Sequence, residues 1–157
     1  MLAIVFPGQG SQTVGMGREL AERFPEAKAA LDEADAALDA PLARLCFEGP
    51  ADELRRTENT QPAILAVSIA ALRALEARVP LVPALAAGHS LGEYSAIGAA
   101  GGLGVEDLVR TVRRLGRTAL RAGRRVARAL TVLRAAVLRV AALRVTGRAG
   151  LRVTRSG

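Results

Sequence analysis

Gly88-His89-Ser90-Leu91-Gly92 is the segment of this chain best suited to covalent chemistry. A serine between two glycines, placed after an apolar run and before a helical pattern, is the arrangement of a nucleophile elbow. A sharp strand-to-helix turn forces backbones together, and glycine permits that on both sides of the serine. The turn lifts the serine oxygen to the end of a sheet. The helix that follows aims free N–H groups and the positive end of its dipole at the same place. A developing oxyanion there gains about 3 kcal/mol per donor. Ser90 is therefore the candidate nucleophile, and the backbone N–H of Leu91 is the first candidate oxyanion donor. A bare Gly-x-Ser-x-Gly also occurs in ordinary glycine-rich turns, so the flanking strand and helix carry the distinction. His89, the chain's one histidine, projects differently from the turn than Ser90. It reads as a packed or hydrogen-bonded neighbour of the site rather than as its general base.

The elements that must hold this turn follow from periodicity and punctuation. Residues 2–6 form a short apolar run stopped by Pro7-Gly8, the signature of a buried parallel strand. A glycine-rich turn, Gly8-Gln9-Gly10-Ser11-Gln12, comes next. Leu20, Phe24, Ala27 and Leu31 then repeat at helical spacing, and Pro41 ends that stretch. Residues 51–56 predict a short helix after Pro50. Thr60-Gln61-Pro62 predicts the start of a long helix, with a polar cap and proline in the first turn. Ile64, Leu65, Ser68, Ile69, Leu72 and Leu75 share its apolar face. Residues 84–87 predict a second strand, Leu91 to about Ala100 a small-residue helix, and Val105 onward another helix. Strands and helices alternating across Gly and Pro loops define an α/β class.

Composition removes several function classes. The 157 residues suit one domain or part of one, and 50% are hydrophobic, enough for a core. Aromatic residues are 3% of the chain and tryptophan is absent, so a base-stacking platform is poorly supplied. One cysteine, Cys46, excludes an internal disulfide, and one histidine excludes a multi-histidine metal site. No metal is expected. Residues 1–6 lack the basic flank of a secretory signal, and no run of 18 uncharged apolar residues occurs. A cytoplasmic protein is expected. The net charge of +7 conceals two compositions: residues 1–107 carry −7, and residues 108–157 carry +14 from 14 arginines with no acid or lysine.

Three motifs in order carry a family resemblance. Val5-Phe6-Pro7-Gly8-Gln9-Gly10-Ser11-Gln12, Thr60-Gln61-Pro62-Ala63 and Gly88-His89-Ser90-Leu91-Gly92-Glu93-Tyr94-Ser95-Ala96 together resemble the malonyl-CoA:acyl carrier protein transacylases. The acyltransferase domains of polyketide and fatty-acid synthases share them. The resemblance implies the N-terminal part of an α/β-hydrolase-like acyltransferase large subdomain, with a parallel sheet and without the ferredoxin-like subdomain. It implies an acyl carrier protein S-malonyltransferase of fatty-acid biosynthesis. Ser90 would take malonyl from coenzyme A as an ester and pass it to the thiol of acyl carrier protein. It maps Gln9 and the Leu91 N–H to the oxyanion hole and Gln61 to the lining of the site; helix capping is the other reading of Gln61. No resident cofactor is implied, because coenzyme A arrives as the substrate thioester. Malonyl-CoA and acyl carrier protein are the implied partners, with no nucleic acid and no membrane.

The resemblance covers residues 1–112 and stops at the change in composition. Where the family places a carboxylate-binding arginine before a glycine, Leu115 precedes Gly116. Arg114 and Arg117 flank that position off its helical face and do not inherit the role. The family's activating histidine lies far downstream, and no histidine follows His89, so no general base is assigned in this chain. Residues 113–157 form an Arg-rich, low-complexity tail. Val126, Leu130, Leu133, Val137 and Val140 in it allow an amphipathic basic helix. A frame change or a truncated product of a GC-rich gene explains the tail best, and leaves this piece inactive or very weak. A basic module for nucleic acid or anionic lipid is a second reading, opposed by the missing lysine and aromatics. A serine esterase is a third, opposed by the Gly-Gln-Gly-Ser motif. The frame reading makes a prediction: translating the nucleotides after codon 112 in the other two frames yields an Arg-Gly pair and a later histidine, and two frames without them refute it.

Overall fold

In this computed structural model, residues 2–122 are described. The tail helix suggested by Val126 to Val140 lies outside the described residues. Two four-residue strands, β1 (Ala3–Phe6) and β2 (Leu85–Gly88), pair in parallel, with Ala3 opposite Leu85 and Phe6 opposite Gly88. Parallel strands need a long crossover. Here the crossover carries five helices: α1 (Arg18–Arg23), α2 (Pro25–Leu38), α3 (Leu42–Glu48), α4 (Ala51–Arg55) and α5 (Thr57–Glu76). After β2 come α6 (Gly92–Ala99) and α7 (Val105–Ala122). The α/β class and the parallel pairing match the expectation.

The core is mostly helical. α5 lies at its centre and packs against both α2 and α7, which also pack against each other. Leu31 of α2, Leu54 of α4, Leu65 of α5 and Leu108, Val109 and Val112 of α7 are fully buried. Ile64 and Ile69 continue the buried stripe of α5. The stripe is shorter than its periodicity suggests, because Leu75 is exposed at the end of the helix and Ser68 is half-buried. A bidentate Arg73–Glu33 pair, at 2.7 and 2.9 Å, ties α5 to α2.

Several boundaries differ from the sequence expectation, each for a local reason. The helical pattern through Leu20, Phe24, Ala27 and Leu31 is two helices. Phe24 is extended (φ −130°, ψ 107°), as the residue before Pro25 is disposed to be, and Pro25 starts α2. α5 starts at Thr57 rather than Thr60, which puts Pro62 inside the helix and makes Gln61 its fifth residue, not a cap. Thr60 is buried and donates its hydroxyl hydrogen to the Leu54 carbonyl, tying α5 to α4 instead of capping α5. α3 is an element that the sequence pattern does not predict. Its first turn is anchored by the Asp35 carboxylate, which accepts the Ala43 N–H at 2.8 Å. Burial pushes the Asp35 carboxyl upward in pKa against that hydrogen bond. On the same helix, burial pushes the Cys46 thiol up to about 12, with the Asp35 charge adding to it. α7 runs through residues 112 and 113 without a break, so the change in composition is not an element boundary.

Leu65→Ala opens a cavity among α2, α5 and α7 and lowers stability by about 2–5 kcal/mol, whereas Val5→Ala on the exposed sheet face changes it by about 0.5 kcal/mol or less. Urea unfolding measures both. The hydrogen bonds from Arg73 hold the Glu33 carboxyl below its usual pKa. A depressed folded value means that this pairing stabilises the fold above the unfolded pKa of about 4.3 and is lost as pH falls through the folded value. Glu33→Gln therefore flattens the acid limb of a stability–pH curve, and an unchanged limb refutes the assignment.

Candidate active site

The site is built where β1 and β2 end side by side. β2 stops at Gly88, α6 starts at Gly92, and His89-Ser90-Leu91 make the turn between them. Ser90 is exposed and has φ of 55°, the left-handed region that side chains with a Cβ rarely adopt. Backbone strain of this kind persists only where the surroundings impose it. Here three glycines impose it. A Cβ on Gly88 would lie 2.1 Å from the carbonyl carbon of Gly92, so strand end and helix start touch through bare backbone. On Gly92 it would lie 2.4 Å from the Phe6 carbonyl oxygen, which presses the first residue of α6 onto the end of β1. On Gly8 it would lie 2.7 Å from the His89 carbonyl oxygen, which presses the loop after β1 onto the turn itself.

The amides of the turn divide into two groups. Gly92, Glu93 and Tyr94 donate to the carbonyls of His89, Ser90 and Leu91, at 3.0, 3.2 and 3.0 Å. The Leu91 N–H, the first after the serine, has no acceptor among the described residues. The Leu91 side chain is buried in the core, which fixes the peptide that carries this donor. A donor held in place beside an exposed hydroxyl, at the start of a helix, is suited to hold the negative charge that develops on a carbonyl oxygen when the hydroxyl adds to its carbon.

The other candidate residues surround this turn to different degrees. His89 is exposed, and its Nδ1 is 3.3 Å from where a Gly8 Cβ would stand, so the ring lies over the Gly8 backbone. Gln9 follows Gly8 directly, so its backbone sits next to the turn. Its side-chain amide Nε2, however, is 3.5 Å from the Thr57 hydroxyl, at the first residue of α5. Gln61 is half-buried and lies one turn along α5 from Thr57, on the same side of the helix. Thr57 is thus a member of this polar group that sequence reading missed. The available signal was its spacing of four from Gln61. α7 approaches the same corner: a Cβ on Gly116 would lie 3.0 Å from the Glu58 Cα, so the glycine lets the two helices meet. Arg117 stands 4.0 Å from the Glu58 carboxylate, while Arg114 is exposed and Leu115 half-buried. Arg113 is half-buried beside Arg117 and Glu58, and burial lowers its pKa. Among the described residues no three His, Cys, Asp or Glu side chains are grouped to hold a metal ion.

The geometry predicts which substitutions break the site. Gly92→Ala drives a methyl group into the Phe6 and Pro7 carbonyls, both backbone, and costs about 3 kcal/mol or separates α6 from the sheet. Ser90→Gly relieves the left-handed strain and leaves stability unchanged or about 1 kcal/mol higher, where a glycine placed in a regular element lowers it. Thermal unfolding of the two variants, with hydrogen exchange at residues 85–99, measures both effects; a tolerated Gly92→Ala overturns the close-approach argument.

Comparison with known proteins agrees with this architecture. Residues 3–147 match the family model of the acyl transferase domain. The malonyl CoA-acyl carrier protein transacylase of Bacillus subtilis strain 168 is 53% identical over 115 residues, which are 73% of this chain and 36% of that protein. The crystal structure of the malonyl-CoA:acyl carrier protein transacylase of Xanthomonas oryzae pv. oryzae superposes with a TM-score of 0.74 at 45% identity, over 79% of this chain and 40% of that one. A type II PKS acyl-carrier protein in complex with its malonyl-transacylase contains a chain that is 44% identical, with a TM-score of 0.71, over 74% of this chain and 38% of that one. The chain spans little more than a third of the length of the Bacillus relative it matches. By its sequence match from residue 3 to residue 147, this chain belongs to the acyl transferase domain family.

Proposed function

We propose that this chain is the serine-bearing part of an acyl carrier protein S-malonyltransferase of fatty-acid biosynthesis. The observation that carries the proposal is Ser90 itself, exposed at φ 55° beside the uncommitted Leu91 N–H in a turn clamped by Gly8, Gly88 and Gly92. The names of the Bacillus and Xanthomonas relatives support malonyl-CoA as the donor, and the solved complex supports acyl carrier protein as the acceptor. Ser90 Oγ attacks the thioester carbonyl and gives up its proton as the new C–O bond forms. The carbonyl oxygen takes the negative charge and accepts hydrogen bonds from the Leu91 N–H and the Gln9 amide. Collapse breaks the C–S bond, coenzyme A leaves as the thiol, and malonyl remains as an ester on Ser90. The thiol of acyl carrier protein then attacks that ester and restores the hydroxyl.

Gln9 must turn from Thr57 toward the turn to serve in this way. A 3.5 Å contact between exposed groups holds it weakly. Gln61, one helical turn from Thr57, lines the same side, and His89 supports the Gly8 loop. No cofactor resides in the site under this proposal. Cytoplasmic action is part of it; separately, no helix among the described residues is long and apolar enough to cross a membrane. We place the acyltransferase portion at residues 1–112 and keep the frame-change reading for residues 113–157, although the family match runs on to residue 147.

The step that this chain does not provide for is removal of the Ser90 proton, since His89 lies on Gly8 and is the one histidine of the sequence. Loss of a base leaves a serine enzyme with a rate lower by several orders of magnitude, while the oxyanion donors still act. Incubation of the purified chain with malonyl-CoA, followed by intact-mass spectrometry, is therefore expected to show slow, substoichiometric gain of one malonyl group at Ser90 and none in Ser90→Ala. Gln9→Ala lowers the residual rate by about tenfold to a hundredfold. Gain that persists in Ser90→Ala sinks the assignment of the nucleophile. Fast stoichiometric acylation of Ser90 sinks the claim that the base is missing.

A further inference from the structure

α7 separates its charges along its length. Glu106 and Asp107 stand in its first turn, where the helix dipole favours acids. From Leu108 to Gly157 there is no acid or lysine, and there are 14 arginines. Val105, Leu108, Val109 and Val112 are buried, so the apolar side of α7 is taken up by the core with α2 and α5. Arg110, Arg114 and Arg117, spaced by four and three, are exposed on the other side. Arg113 is half-buried, and the charge of Arg117 adds to burial in lowering its pKa. Among the described residues two carboxylates pair with this row: Glu106, 3.3 Å from Arg110, and Glu58, 4.0 Å from Arg117. Arg114 has no ion-pair partner among the described residues. In the sequence, Arg121, Arg124, Arg125 and Arg128 follow, so eight arginines fall between residues 110 and 128.

We propose that the arginine row which begins on α7 is a docking surface for the phosphate backbone of double-stranded nucleic acid, bound without regard to base sequence. Charge alone attracts a polyanion, and the guanidinium fork matches phosphate oxygens in pairs, so lysine is dispensable. Aromatic side chains, 3% of this chain, serve to stack unpaired bases, whereas a duplex keeps its bases stacked on each other. The two shortages weigh against a reader of single strands and leave duplex binding intact. An anionic membrane fits less well. An interfacial helix buries an apolar face in lipid, and that face of α7 is packed on α2 and α5. Residues 1–107 carry −7 and repel a polyanion, so a duplex meets the chain from α7 onward. This attraction depends on charge, so it is the same whatever the origin of residues 113–157. It is also independent of the malonyl-transfer reading.

Fluorescence anisotropy of the full chain with a short labelled DNA duplex tests the surface. Binding is expected with a Kd of about 1 μM or tighter in about 50 mM salt. If about six arginines neutralise phosphates, log K falls against log salt with a slope of about −5. Two duplexes of unlike sequence bind within about threefold of each other. Arg114→Gln with Arg117→Gln weakens binding by about tenfold or more and makes the slope shallower by about 2. Arg44→Gln with Arg55→Gln removes the same charge from exposed positions on α3 and α4 and changes the affinity by about twofold or less. Unchanged amide exchange in α2 and α5 certifies that the variants fold. A missing or salt-independent complex overturns the proposal, as does equal weakening by the two pairs of substitutions. Tighter capture by phosphatidylserine-containing vesicles at equal anionic charge overturns it in favour of a lipid surface. Binding to poly-glutamate as tight as to the duplex overturns it too, because phosphate would then confer nothing.

Discussion

The close approach of three backbones at Gly8, Gly88 and Gly92 is the constraint from which the rest of the molecule takes its shape. Gly92 lies against the Phe6 carbonyl, so the start of α6 is fixed relative to β1 and not only to β2, the strand that leads into it. The left-handed Ser90 is the result of joining those two fixed points with three residues. Because the long crossover through α1–α5 must return the chain beside β1, the fold closes only if Gly88 arrives opposite Phe6. Small side chains at the contacts are thus a requirement of topology, and the exposed hydroxyl is its chemical product.

Around that junction the helical layer supplies rigidity. α5 spans the distance from the Thr57 end, where Gln9 and Arg117 approach, to the Arg73 end, where Glu33 is held. Its burial along most of its length leaves the Thr57 corner resting on the most heavily packed element. Gly98 extends the same logic to α6, since a side chain there would meet Leu108 and Ile69. The turn is held from the sheet side by backbone and from the helix side by apolar packing, with Leu91 belonging to both.

How much of this was legible in the sequence differs by element. The strand–turn–helix at Ser90 was legible because its signal is local: two glycines, a serine and their neighbours suffice. The strands were legible to within a residue for the same reason. The α1–α2 corner was hidden because a single extended residue at Phe24 barely disturbs helical spacing, so Leu20 and Leu31 still fit one stripe. The start of α5 was displaced because Thr60-Gln61-Pro62 carries the chemistry of a helix start, yet Thr60 found a better acceptor in Leu54 of the preceding helix. Tertiary contacts decide such cases, and spacing does not encode them. The Gln9–Thr57 contact was illegible in the same sense, for 48 residues separate its members.

Under the malonyl-transfer proposal, the burial of Cys46 bears on the handling of thioesters. A thiolate exchanges acyl groups with a thioester faster than any hydroxyl does, so an accessible cysteine would divert activated acyl chains into dead-end self-modification. With its single thiol buried on α3 and pushed up to about 12, the chain keeps almost no thiolate near neutral pH. Under the malonyl-transfer proposal, acyl groups that reach the protein are thereby left to the Ser90 oxygen.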